Sequence, residues 1–120
     1  MHRLWIALGG LFGFAAVALS AWAAHAGPRV LDAPALATLG TAVQLLGWHA
    51  PSLVAAGLLA ERRGRLAHAA AGLLAVGALL FVGALTLRAL SGVSLGPAAP
   101  TGGVALMLGW GLLAAAAVRR

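Results

Sequence analysis

Residues Thr38 to Glu61 read TLGTAVQLLGWHAPSLVAAGLLAE, and this stretch decides the fold. It has no charge before Glu61 and is long enough to cross the roughly 30 Å hydrocarbon core of a bilayer as a helix. It also carries Gln44 and His49. A polar or ionisable side chain at membrane depth is expensive, which makes such residues candidates for a function.

Working outward, the chain offers three more uncharged runs. The four together are Leu4–Ala24, Ala33–Ala60, Leu66–Leu87 and Ala89–Val118. Each holds the ~20 residues that a span needs. Of the 120 residues, 62% are hydrophobic and 8% charged, against about 25% charged in a soluble domain. The expected fold is therefore all-α: a polytopic membrane protein, one four-helix transmembrane domain over 1–120, with helices near 4–25, 33–60, 66–90 and 101–118. The first run resembles a signal peptide in having Arg3 ahead of it and Ala21-Trp22-Ala23 near its end, but it is too long for the 7–15-residue apolar core of one.

Charge sets the expected orientation. There are eight Arg, no Lys, one Asp and one Glu. With four spans, Arg3, Arg62, Arg63, Arg65, Arg119 and Arg120 share one side, and Arg29 and Arg88 the other. Six against two predicts both termini in the cytoplasm and a multi-pass place in a bacterial inner membrane. The Arg clusters lie between apolar runs and form no basic face, so the basic balance predicts membrane lipids as partners and no nucleic acid.

Local signals fix the helix ends. Gly27-Pro28 breaks the first helix, Asp32 is a candidate N-cap, and Pro34 fits the first turn that follows. Glu61-Arg62-Arg63-Gly64-Arg65 is a tight charged turn, and Ser91 to Pro100 a Gly/Pro/Ser loop. Small residues are expected to do the packing between spans, because lipid tails are as apolar as Leu. Gly9, Gly13, Gly72, Gly77 and Gly109 are the candidate packing positions, Gly9 and Gly13 as a Gly-x-x-x-Gly pair. Shifting the chain by 62 residues also superposes Gly40 on Gly102 and Leu46-Gly47-Trp48 on Leu108-Gly109-Trp110, a weak internal repeat.

The second span has an expected polar seam. At 100° per residue, Thr38, Thr41, Gln44, His49 and Ser52 fall within about 140° of arc. Leu39, Val43, Leu46, Leu53 and Val54 occupy much of the rest, the expected lipid face. Pro51 cannot donate to the carbonyl of Gly47, so a kink is expected beside His49. A neutral imidazole has one donor and one acceptor, and in lipid both need partners. Ser20 and a carbonyl freed by Pro51 are the candidates.

Other chemistry finds little support. There is no Cys for a disulfide, a thiolate or haem attachment, and no Tyr. The four His do not converge by depth, so no metal or cofactor is expected. Asp32 and Glu61 sit at helix ends rather than inside a span, unlike the acids of ion-coupled carriers. Ser52 and His49 share a helix with no third group to orient the imidazole, so no catalytic residues are assigned and no enzyme is expected.

Several segments carry a resemblance. AAHA at 23–26, TAVQ at 41–44, WHA at 48–50, FVGAL at 81–85, the run from Pro97 to Gly103, and Gly109-Trp110 are similar to domain-of-unknown-function family 423. These are the YgdD-like small membrane proteins, whose eukaryotic relatives are called transmembrane protein 256. The resemblance implies a four-span inner-membrane protein and supplies no reaction. Two functional expectations stand beside it. One is a non-enzymatic protein that acts by helix packing with itself, as a homo-oligomer, or with another membrane protein. The other is a binder or carrier of a hydrophobic ligand, a lipid or quinone, at Thr41, Gln44, His49 and Ser52.

Overall fold

The computed structural model describes residues 1–119 and is all-helical apart from short connections. The four expected spans are α1 (His2–His25), α3 (Ala33–Arg63), α4 (Arg65–Ser91) and α5 (Ala98–Val118), with a single turn, α2 (Gly27–Val30), between the first two. Each span is long and apolar enough to cross a membrane.

The ends follow from residue chemistry. The Asp32 side chain accepts from the backbone N–H of Ala35 at 2.9 Å, which satisfies one orphan donor of α3, and Pro34 lies in the first turn. α3 runs past the expected residue 60 to Arg63, because Glu and Arg are good helix formers and nothing breaks the helix before Gly64. Gly64 then reverses the chain at φ 64°, a backbone that side chains disfavour. Gly92, at φ 73°, ends α4 in the left-handed conformation, its N–H bonded to the Arg88 carbonyl at 2.8 Å. α5 begins at Ala98, three residues earlier than expected, with Pro100 tolerated in its first turn. α3 stays helical through Pro51.

The helices pack in the order α1, α3, α4, α5, so α3 and α4 are central and α1 and α5 lie at opposite flanks without packing on each other. The bundle is 52 Å along its longest axis, enough to cross a bilayer with its headgroups. Alanine dominates the core: Ala42, Ala56, Ala67, Ala70, Ala71 and Ala78 are fully buried, and the largest fully buried side chains are Leu39, Leu53 and Leu74. The big apolar side chains point out, with Phe14 76% and Met107 68% exposed. This arrangement suits a bundle surrounded by lipid, where close backbone packing replaces the hydrophobic effect as glue.

Glycine makes that packing possible at a few points. A Cβ at Gly9 would lie 2.7 Å from the Ala50 carbonyl oxygen, and one at Gly57 2.9 Å from the His2 carbonyl oxygen, so α1 and α3 touch backbone to backbone. Gly77 and Gly102 form the matching contact between α4 and α5: each would put a Cβ within 2.9 Å of the other's carbonyl oxygen. Gly109 fits against Leu74. Gly13 and Gly72 are different. A Cβ there would meet Ala50 at 3.7 Å or the Trp5 ring at 3.8 Å, ordinary contacts that do not require glycine. The weak repeat is not a repeat of packing either, since Gly40 and Gly47 face open space where their counterparts Gly102 and Gly109 are tightly enclosed.

One end of the bundle gathers most of the charge. His2 meets Gly57, Trp5 meets His68, and an Arg63 guanidinium N–H donates to the Arg119 carbonyl. Arg3, Arg62, Arg63, Arg65 and Arg119 therefore share this end. Arg120 lies outside the described residues.

Candidate functional site

His49 is 3% exposed, near mid-span of α3. Its Nδ1 lies 2.6 Å from the Leu45 carbonyl oxygen, and its Nε2 lies 3.1 Å from Trp110 Nε1 of α5. An indole N–H can only donate, so Nε2 accepts and Nδ1 carries the hydrogen. The imidazole is thus a neutral ring with both nitrogens satisfied by protein. The two rings meet edge-on, with centroids 6.0 Å apart at 62°. This bond ties α3 to α5, two helices that otherwise barely touch. The expected partner Ser20 is exposed on α1 and takes no part. Nor is the ring held by the carbonyl that Pro51 leaves free, that of Gly47; it uses the one a turn before itself.

A second bond of the same kind lies nearer the charged end. Trp5 Nε1 of α1 donates to His68 Nδ1 of α4 at 2.9 Å. It joins the other pair of helices with little direct contact. Sequence reasoning did not find this bond. Its partners' separation of 63 residues carries no local signal.

The expected polar seam does not hold together. His49 and Ser52 are buried, whereas Thr41 and Gln44 are exposed on the outside of the bundle. Conversely, Leu39, Leu46 and Leu53 of the expected lipid face are core residues. The hydroxyls explain the reversal. Thr38, Thr41 and Ser52 donate to the carbonyls of Pro34, Ala37 and Trp48, each four residues back on the same helix. A hydroxyl so bonded needs no neighbouring helix. The actual contact face is chosen by small residues: Ala42, Ala50, Ala56 and Gly57 are all buried.

What remains outside is a distinctive stripe on α3. Gln44 is exposed and Trp48 is 57% exposed, one turn apart, and neither side chain forms a hydrogen bond among the described residues. A Cβ at Gly40 or Gly47, on either side, would meet nothing within 4 Å. Gln44 is 12 residues from Asp32 and 17 from Glu61, about 18 and 26 Å at helical rise, close to the bilayer centre.

Grooves elsewhere on the bundle are apolar or at its ends. The one between α1 and α4 has a volume of about 520 Å³ and is lined by Leu11, Phe12, Leu46, Val82 and Thr86 among others. Thr86 Oγ1 there is a buried side-chain oxygen without a partner. Another, of about 510 Å³, lies among the arginines at the charged end. Neither reaches His49. Among the described residues no three His, Asp or Glu side chains come together as metal ligands.

Comparison with known proteins agrees with this architecture. Residues 19–103 match the model of a family described as "Protein of unknown function (DUF423)". A UPF0382 membrane protein of Haemophilus influenzae is 32% identical over 111 residues, covering 92% of this chain and 90% of that protein. The UPF0382 inner membrane protein YgdD of Escherichia coli is 29% identical over 119 residues, covering 98% and 91%. No solved structure matches. His49 lies within the matched stretch, and its partner Trp110 lies seven residues beyond the end of it. With four spans and relatives of this kind along its whole length, the chain is a multi-pass inner-membrane protein and belongs to the DUF423 family.

Proposed function

We propose that this protein works as a self-associating, non-enzymatic membrane protein, and that the outer stripe of α3 around Gln44 is where two copies meet. The observation that carries the reading is an unpartnered amide near the bilayer centre, flanked by two open glycines. A polar group facing lipid finds no water, so it gains by meeting a partner. Glutamine is self-complementary: its NH₂ donates and its C=O accepts. Across a two-fold axis each Gln44 amide satisfies the other, and Gly40 and Gly47 let the helices come close enough. Trp48 adds a broad ring beside them.

His49 supports the same reading by what it lacks. With both nitrogens bonded inside the bundle it has no free atom for a ligand or a proton relay. Its role here is to hold α5 against α3.

A second reading, a binder of a hydrophobic ligand, moves from the seam to the α1–α4 groove. Its support is the unpartnered Thr86 hydroxyl within an apolar trough. The two readings separate by experiment. Dye-labelled copies of the protein in mixed proteoliposomes should show energy transfer that falls on Gln44→Leu and is unchanged by Thr86→Val. Energy transfer unchanged by Gln44→Leu, together with retention of a co-purified apolar molecule that falls on Thr86→Val, would favour the groove.

A further inference from the structure

We infer that the cup formed by Arg62, Arg63, Arg65 and Arg119 is a binding site for the phosphodiester headgroup of an anionic glycerophospholipid. The cup lies where the end of α3, the start of α4 and the end of α5 converge, with a volume of about 510 Å³ and Leu66 and Ala116 as its apolar lining.

Four arginines line this space, and among the described residues no acidic side chain does. Like charges so placed repel one another, and an anion among them turns that cost into attraction. Guanidinium is also the side chain best matched to phosphate, through paired N–H donors. One of the four is already positioned: Arg63 is held across the gap by its bond to the Arg119 carbonyl.

The backbone adds donors of its own. The N-cap of α4 is Gly64, which has no side chain to cap the helix, and there is no acid in the first turn. The leading N–H groups of a 27-residue helix thus have no side-chain acceptor, and its dipole is positive where Arg65 sits. Such an end favours an anion. The contrast is α3, whose N-terminus is closed by Asp32.

Depth identifies the source of the phosphate. Trp5 and His68 lie one turn deeper in the bundle than the cup, at the level where an indole ring marks the membrane interface. Beneath the cup, Ala60, Ala67 and Ala116 form a small buried apolar cluster with Leu66 against it. The partly buried Leu66 and the exposed Val118, next to Arg65 and Arg119 in the chain, offer apolar surface to the acyl chains of a headgroup in the cup.

Native mass spectrometry of the whole protein in a mild detergent tests this. Phosphatidylglycerol should be retained well above phosphatidylcholine. Arg63→Gln/Arg65→Gln should lower phosphatidylglycerol retention about 30-fold, at about fivefold per arginine, while Arg88→Gln at the opposite end should leave it unchanged. Inorganic phosphate at equal concentration should not displace the lipid. Wild-type retention in the double variant would overturn the proposal, and displacement by phosphate would assign the cup to a free anion instead. Should the double variant not fold, salt decides with the wild type alone. Raising it from 0.1 to 1 M shortens the screening length from about 10 to 3 Å, so the preference for phosphatidylglycerol should vanish, and a preference that persists refutes a charge-built site.

Discussion

Trp110 donates its indole N–H to His49 across 3.1 Å, and this one bond holds α5 to α3 near the centre of the membrane. Removing either partner leaves the other with an unmet hydrogen bond in a medium that cannot supply one. His49→Leu and Trp110→Phe should each lower stability in detergent by about 1–3 kcal/mol. His49→Gln, which retains an acceptor, should be tolerated better. A double-mutant cycle on thermal unfolding should return a coupling of about 0.5–1.5 kcal/mol. Additive losses would mean that the two side chains do not depend on each other.

The glycines divide into those the packing requires and those it does not. Gly102→Ala places a methyl 2.6 Å from the Phe81 nitrogen, and Gly9→Ala places one 2.7 Å from the Ala50 oxygen. Both neighbours are backbone and cannot swing aside. Each substitution should cost about 1–3 kcal/mol through overpacking. Gly13→Ala and Gly72→Ala should be near neutral in the same melting assay.

Arginine asymmetry makes a separate prediction about orientation. Reporter fusions at Gly64 and at Arg120 should read cytoplasmic, and one at Gly96 periplasmic. A periplasmic reading at Arg120 would invert or unthread the bundle.

Much of this architecture is legible in the chain, and the illegible part has a physical reason. Four spans, the Asp32 cap and the Gly64 reversal follow from hydropathy and local chemistry, which act within a few residues. The faces of α3 do not. In water, polarity separates inside from outside, so Leu39 and Leu53 would be read as core. In lipid both sides are apolar, and the same leucines were expected to face the tails. The choice is made instead by which small residues let a neighbour approach, and Ala42, Ala56 and Gly57 make it. Hydroxyls mislead for a related reason: Thr41 and Ser52 are satisfied by their own helix, so their polarity says nothing about what they face. His49 was informative because a ring with two nitrogens cannot be satisfied by one carbonyl. Even so, its partner, 61 residues away, could be identified only from the fold.

Self-association through α3 is the central claim, and the absence of Cys from the chain makes it directly testable. A single Gly40→Cys or Gly47→Cys places one thiol beside Gln44, in open space. A control thiol at Val104 lies on the exposed side of α5. Under mild oxidation in native membranes, the two α3 variants should cross-link to a dimer and the Val104→Cys variant should stay monomeric. Adding Gln44→Leu to either α3 variant should reduce the dimer several-fold. Monomer alone at both α3 positions, or cross-linking that is equal at Val104, would contradict the account.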